Sequence, residues 1–368
     1  MNYTTDLIYQ LALTQVPHIG AVQARILLDH FESAAAIFKA RKSALEKIEG
    51  IGTVRAAAIK EFDRFAALEP EIRFLEENEI KPLFLKDPGY PQRLLHCYDP
   101  PTLLFFKGTA NLNAPKIISI IGTRNNTEYG KQLTHTLLEE LTPHQPLILS
   151  GLAFGVDALA HKKSLKLQLP TVGVLAHGLH TIYPFQHAAL AKEMILSGGG
   201  LLTEFTSHTR PDRHNFPTRN RIVAGMSDAT VVIETAVKGG SMITVNLALG
   251  YNRDVFAVPG RITDTRSEGC NLLIQQNKAQ LIRNGKDIAV AMGWEAVKKP
   301  ATVQRELFIE LSSEEREVVQ LLQVKEQLHI DELNRSCGLN SSSVAAALLS
   351  LELKGAVQSL PGKLYALS

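Results

Sequence analysis

The chain has 368 residues, of which 45% are hydrophobic and 21% charged, and a formal net charge of +2. That length is more than one ordinary core needs and suits two or three globular domains, while the composition excludes a disordered or fibrous chain. So small a net charge excludes a global polycation, so a nucleic-acid site must be a local patch; the three cysteines (Cys97, Cys270, Cys337) form no CxxC pair, which argues against a zinc finger or disulfide framework.

The opening MNYTTDLIYQ has no basic segment followed by an apolar core, so no signal peptide is expected. No apolar run reaches membrane-spanning length, and the expected setting is the cytoplasm, with no membrane partner. Residues 1–70 read as short helices. Val16-Pro17-His18-Ile19-Gly20 separates two amphipathic stretches, and Gly50-Ile51-Gly52 repeats the arrangement. This is the plan of a helix-hairpin-helix (SAM-like) domain, whose backbone N–H groups at a helix start can hold a DNA phosphate. The segment carries eight basic and eight acidic residues, a balance that favours a packing domain over DNA contact, with both readings left open.

From residue 71 to 296 the texture is α/β. The runs KPLFL, LLFFKG, IISIIGTR, LILSGL, TVGVLAHG, GLLTEF, ATVVIE, DVFAVPG and AQLI alternate with helical stretches. The middle runs are apolar throughout, as strands covered on both faces require. The fold expected is a Rossmann-like, doubly wound, mostly parallel sheet. Residues 297–311 read as a linker. Residues 312–368 then read as helix (313–323), helix (330–337), helix (341–354) and hairpin (356–367) turning at Pro361-Gly362, which is a winged helix. Its third helix has no Lys or Arg before Lys354, and residues 305–368 hold six basic against nine acidic residues. A DNA reader needs cations to displace counterions, so a protein-contact or packing role is favoured.

Four turns of the α/β segment follow apolar strands and carry candidate anion donors: Gly122-Thr123-Arg124, Ser150-Gly151, the stretch around FPTRNRIVAG, and Gly239-Gly240-Ser241 with Thr244. Beyond the carboxyl ends of parallel strands, helix N-termini offer unpaired N–H groups, and glycine lets an oxyanion come close. The third stretch holds Arg210, Arg213, Arg219 and Arg221, with His208 and His214, against Asp212 alone. No G-x-G-x-x-G dinucleotide fingerprint, Walker A lysine, nucleophile elbow or HExxH is present, so no cofactor, metal or catalytic residue is expected. Asp157 and His161 share a helix face by their spacing, which suits a structural pair better than a catalytic one.

Taken in order, IIGTR, SGLAFGVDALAH, GLHTIYP, GGLLTEF, FPTRNRIVAGMSDATVVIE, GGSMIT, RDVFAVPG and GCNLLI closely resemble the DNA-processing protein A (DprA/Smf) family over most of residues 117–282. The resemblance implies a non-enzymatic protein that binds single-stranded DNA and hands it to RecA during natural transformation, as a homodimer formed through the α/β domain. It implies phosphate contacts at Gly122, Thr123, Arg124, Ser150, Gly151, Arg213, Arg219, Arg221, Gly240, Ser241 and Thr244. Phe216 matches an aromatic that stacks on a base; burial is its alternative. Arg219 and Arg221, two apart on a helix, point nearly opposite ways, so one is expected to face the groove and the other to brace a carboxylate such as Glu204 or Asp228. The chain departs from the family at Phe154, where Arg is common, at His180, where an acid is usual, and at QQNKA, where Gly-Ala is common. One rival is a nucleotide phosphoribohydrolase, but its catalytic Glu falls on Asn246, and an amide cannot do acid/base work. The other is a protein scaffold, with the winged helix as its working surface.

Overall fold

The computed structural model describes residues 6–295, 311–325, 327–360 and 363–367. It divides into two compact units, residues 1–295 and 296–368. The expected linker lies outside the described residues except for Leu311, as does the Pro361-Gly362 turn.

The first unit is built on a nine-stranded sheet. All nine strands expected from the apolar runs are present: β1 (Lys81–Phe84), β2 (Leu103–Gly108), β3 (Ile117–Ile121), β4 (Leu147–Ser150), β5 (Thr171–Val174), β6 (Gly200–Thr203), β7 (Ala229–Val232), β8 (Asp254–Ala257) and β9 (Gln280–Leu281). Their spatial order is β1-β2-β6-β5-β4-β3-β7-β8-β9. From β6 to β9 every pairing is parallel, while β2 runs antiparallel to β6 and β1 antiparallel to β2. Every residue of β3, β4, β5, β6 and β7 is buried, because helices cover both faces. The chain winds outward from β3 to β6, then returns to the other side of β3 as β7. That reversal leaves a crevice at the carboxyl ends of β3 and β7.

The amino-terminal helices Leu7–Gln15, Ala21–His30, Ala34–Lys39, Lys42–Glu46 and Gly52–Lys60 form the two expected hairpins. Arg55 stitches their turns together, donating from Nε to the His18 carbonyl (3.1 Å) and from Nη1 to the Gly50 carbonyl (3.0 Å). Tyr9, Phe38, Phe62 and Phe65 pack edge to face or tilted beneath them, with centroids 5.3–6.0 Å apart. This segment shares one apolar core with the sheet, running from Leu11 and Leu27 through Leu75 to Leu104 and Val223. Polar ties reinforce the join: Ser207 donates from its backbone N–H (2.9 Å) and Oγ (2.5 Å) to the Glu71 carboxylate, and Arg25 donates to the Cys97 carbonyl (2.9 Å).

The second unit is the winged helix. Helices Ser313–Val324, Ile330–Ser336 and Ser341–Leu353 pack on a three-stranded antiparallel sheet of β10 (Leu328–His329), β12 (Leu364–Leu367) and β11 (Val357–Leu360), in that order. Asn340 caps the third helix as expected, its side chain accepting from the Ser343 N–H (2.8 Å). The helix's outer face shows exposed Leu349 and Leu353 and no Lys or Arg. Ser312 and Glu315 form a reciprocal capping box on the first helix. Glu315 also accepts from Lys354 Nζ (2.7 and 2.8 Å) and Ser350 Oγ (2.7 Å), bonds that hold its carboxyl down at about 2.

A depressed carboxyl pKa stabilises the fold above the ordinary glutamate value, and that stabilisation is lost as pH falls toward about 2. Glu315→Gln is therefore expected to lower this unit's protection at pH 7 and to make little difference near pH 2. Hydrogen exchange over residues 311–367 across a pH series reads this, and a penalty independent of pH would refute it.

Candidate nucleic-acid interface

A cleft of about 840 Å³ opens at the carboxyl ends of β3, β4 and β7, where the chain reversal puts it. Ten of the twelve residues expected from sequence line it: Gly122, Thr123, Arg124, Gly151, Arg213, Phe216, Arg219, Gly240, Ser241 and Thr244.

The loop after β3 is fixed by a residue the sequence reading had not singled out. Glu234, fully buried just past the end of β7, accepts from the Thr127 N–H (2.9 Å) and from the Thr127 hydroxyl, and its backbone carbonyl accepts from the Thr123 N–H (2.7 Å). Thr127 in turn caps helix Glu128–Leu141, accepting from the Gly130 N–H (3.1 Å). The signal was the acid at the end of the apolar run ATVVIE, since a buried carboxylate needs donors close by. Held at this loop, Arg124 is exposed and hydrogen-bonds to no group among the described residues; its guanidinium lies 5.7 Å from the Phe216 ring centroid.

The loop after β4 corrects one expectation. Ser150 is fully buried, and its hydroxyl donates to the Ile120 carbonyl (2.6 Å). It ties β4 to β3 below the cleft surface and has no free donor for an anion. Gly151 lines the cleft for a steric reason: a Cβ there would lie 2.4–2.6 Å from the Arg219 guanidinium. Gly155 has φ +76, and its Cβ would lie 2.2 Å from the Thr123 carbonyl, so only glycine brings the two loops this close.

Asp157 and His161 share a helix but do not bond each other. Asp157 accepts from the N–H groups of Gly151 (3.1 Å) and Ala153 (3.3 Å). Burial raises its pKa, with nearby Arg219 opposing the rise. His161 meets the Thr171 hydroxyl at 2.6 Å. That hydroxyl spends its proton on the Ile148 carbonyl, so His161 Nδ1 is the donor. Burial pushes His161 down to about 3, leaving it neutral at physiological pH. The pair holds the loop and the helix and has no shared proton to move.

The two arginines of helix Asn215–Met226 separate because two residues make roughly 200° of helical turn. Arg219 points to the cleft and is 5% exposed. Its Nη1 donates to the carbonyls of Gly151 (2.6 Å) and Val174, and its Nε to Asn220 Oδ1 (3.1 Å); Nη2 has no acceptor among the described residues. Burial pulls this guanidinium down to about 10, against the pull of Asp157, so it stays charged at neutral pH. Arg221 points away, paired with the Glu204 carboxylate and the Asp99 carbonyl, and lines a different hollow beside Gly20. Of the two acids expected as its brace, the one it holds is Glu204. Asp228 belongs to Arg93, at 2.6 and 2.9 Å. Arg221 is therefore no part of the cleft.

Phe216 is half-buried, with Arg219 6.0 Å and Tyr183 6.2 Å from its ring. Arg213, exposed, donates from Nε to His214 Nε2 (3.1 Å). On the opposite wall, helix Ser241–Gly250 begins at Gly240 without a side-chain cap. Ser241 Oγ donates to Thr235 Oγ1 (2.6 Å), while the N–H groups of Gly240 and Ser241 donate to no acceptor among the described residues. Asn246 is exposed and does not line the cleft. The cleft thus presents cations, open backbone donors at a helix start and an accessible aromatic ring. That set suits a ligand with anionic oxygens and a flat apolar part. Among the described residues no helix is long and apolar enough to cross a membrane, and no group of His, Cys, Asp and Glu stands ready to hold a metal ion.

Comparison with known proteins agrees with the motif order. The family model described as DNA recombination-mediator protein A matches residues 81–293, a DprA winged-helix model matches 304–363, and a helix-hairpin-helix model matches 8–67. DNA processing protein DprA of Bacillus subtilis is 39% identical over 64% of this chain and 80% of its own length. Protein Smf of Escherichia coli is 32% identical over 80% of each chain. The X-ray structure of DNA processing protein A from Streptococcus pneumoniae is similar with a TM-score of 0.66 at 29% identity, covering 79% of this chain and 98% of that one. The same protein from Helicobacter pylori, described for its single-stranded DNA binding mode, is similar with a TM-score of 0.52 at 31% identity, covering 58% and 96%. Matched along its α/β core and at both flanking segments, the chain belongs to the DNA recombination-mediator protein A family, whose members carry the names DprA and Smf.

Proposed function

We propose that the protein binds single-stranded DNA in this cleft without reading its sequence, and passes the strand to RecA for homologous recombination. The observation that carries the reading is the pairing of Arg124, exposed and without an acceptor among the described residues, with the open N–H groups of Gly240 and Ser241 on the facing wall. Phosphates satisfy both. Gly122 and Thr123 line the phosphate's approach, Gly151 makes room for the Arg219 guanidinium, Arg213 and Arg219 Nη2 add positive charge, Thr244 lines the wall below the helix start, and Phe216 stacks on a base. Such contacts use features every nucleotide has, so binding tolerates any sequence.

The reading assigns no chemistry to the protein. Asp157 is occupied by backbone donors, His161 is neutral and buried, and Asn246 replaces the glutamate a phosphoribohydrolase needs. The transfer to RecA, the homodimer through the α/β unit and the cytoplasmic setting rest on family membership.

The test is fluorescence anisotropy of labelled oligo-dT, titrated against salt, for wild type and Arg124→Ala. Affinity is expected to fall steeply with salt, and the variant's log–log slope to be shallower by about 0.7, the value of one lost single-strand phosphate contact. Binding indifferent to both salt and Arg124 would remove single-stranded DNA from the cleft.

A further inference from the structure

Three large aromatic side chains beside the cleft are left exposed by the fold. Phe154 is 43% exposed, Tyr183 51% and Phe185 80%. Apolar rings gathered at one rim call for an explanation that a single exposed side chain does not. They sit on the loops that follow β4 and β5, neighbouring parallel strands whose carboxyl ends emerge at the same edge of the sheet. Each is tied to the cleft by position. Tyr183 lines it and lies 6.2 Å from Phe216; Phe154 directly follows cleft-lining Ala153; Phe185 follows Tyr183 with only Pro184 between.

The Phe154 ring and the backbone that carries Tyr183 are braced from below. The Tyr183 N–H donates to His177 Nε2 (3.2 Å), and the other ring nitrogen of His177 lies 2.8 Å from the Gly178 carbonyl, so Nδ1 carries the proton and Nε2 is free to accept. Phe154 packs edge-on against the His187 ring (centroids 4.9 Å, planes at 65°). His187, itself buried, is fixed by its Nδ1 to the Leu152 carbonyl (2.8 Å). Rings held this way lose little freedom when something flat lies on them, which favours binding.

We infer that Phe154, Tyr183 and Phe185 form a second base-stacking subsite, which carries the strand out of the phosphate cleft along the β4–β5 side and takes nucleobases of any identity. The inference rests on the single-stranded DNA reading above. Its chemistry differs in balance from that of the cleft: the cleft holds oxyanions by charge and N–H donors and stacks a base on Phe216, whereas this rim offers ring faces alone. It therefore adds affinity that is insensitive to salt and depends on the bases being present.

The test compares labelled oligo-dT with an equally long oligonucleotide of abasic sites, on the full-length protein. Wild type is expected to prefer oligo-dT. Phe154→Leu and Tyr183→Leu, which keep apolar bulk and hence the fold, are expected to weaken oligo-dT binding on the order of 5- to 100-fold per lost stack. Phe154→Leu, at a residue outside the cleft lining, should leave abasic binding and the salt slope unchanged, with unaltered melting as the control for folding in both variants. Restoring the ring in Tyr183→Phe should restore the preference. If the Leu variants keep the wild-type preference for bases, the platform is overturned and the phosphate cleft stands. If wild type binds neither oligonucleotide, platform and parent reading both fall.

Discussion

Arg219→Ala is expected to destabilise the 295-residue unit by about 3–5 kcal/mol, the usual cost of removing one partner from a buried charged cluster. The substitution strips donors from the Gly151 and Val174 carbonyls and removes the nearest positive charge from buried Asp157. At roughly 2–4 °C per kcal/mol for a unit somewhat smaller than this one, melting should fall by about 10 °C. Arg219→Lys should recover little, because one ammonium cannot reproduce the planar fork that reaches two carbonyls. Urea unfolding measures the loss. Were Arg219→Ala to melt like wild type and lose only DNA affinity, Arg219 would be a phosphate ligand and not a structural pin.

Arg221→Ala is expected to cost about 3 kcal/mol at pH 8, and less as the pH falls. Burial holds the Glu204 carboxyl above its usual range, and Arg221 opposes that rise. With Arg221 gone, burial and the nearby Asp99 charge act unopposed and the carboxyl climbs further. Native Glu204 then takes up a proton at a pH where the unfolded chain's glutamate does not, so acidification favours the variant's native state relative to wild type. Glu204 Oε1, buried and without a partner, is a place for that proton. Urea unfolding at pH 8 and pH 5.5 reads the difference, and Arg221→Ala with Glu204→Gln should recover part of the loss at pH 8. A penalty equal at both pH values would contradict the account.

These two arginines also show where sequence reasoning stops. Helical geometry alone demands that residues two apart diverge, and so assigns one to the cleft and one to a carboxylate. It does not say which. Glu204 follows β6 and Asp228 precedes β7, and only the packed sheet brings Glu204 under Arg221 while Arg93, from a short helix far away in sequence, takes Asp228. Ser150 illustrates the same limit. Ser-Gly after an apolar strand reads as an anion turn, yet Ser150 is still part of β4, and its inward position spends the hydroxyl on Ile120. Asp157 and His161 share a face by spacing, but each is spent on a different neighbour, Asp157 on the Gly151 and Ala153 N–H groups of the preceding loop and His161 on Thr171 at the start of β5.

What the sequence determined by itself is local or periodic. Continuous apolar runs marked the middle strands, β3 to β7, because strands covered on both faces have no polar side to show, and shorter β-rich runs marked the strands outside them. Glycines marked the close turns, caps marked the winged helix, and the ordered motifs identified the family. The tertiary structure decided the strand order, with its antiparallel β1–β2 edge and the reversal at β3. It decided the burial of Glu234 behind the Arg124 loop, and which of the candidate donors stay free to meet a ligand. The physical reason is that a donor is free only when no acceptor from a distant segment has claimed it. That competition is settled by packing between residues 30 to 150 positions apart, such as Ser150 with Ile120 and Arg93 with Asp228.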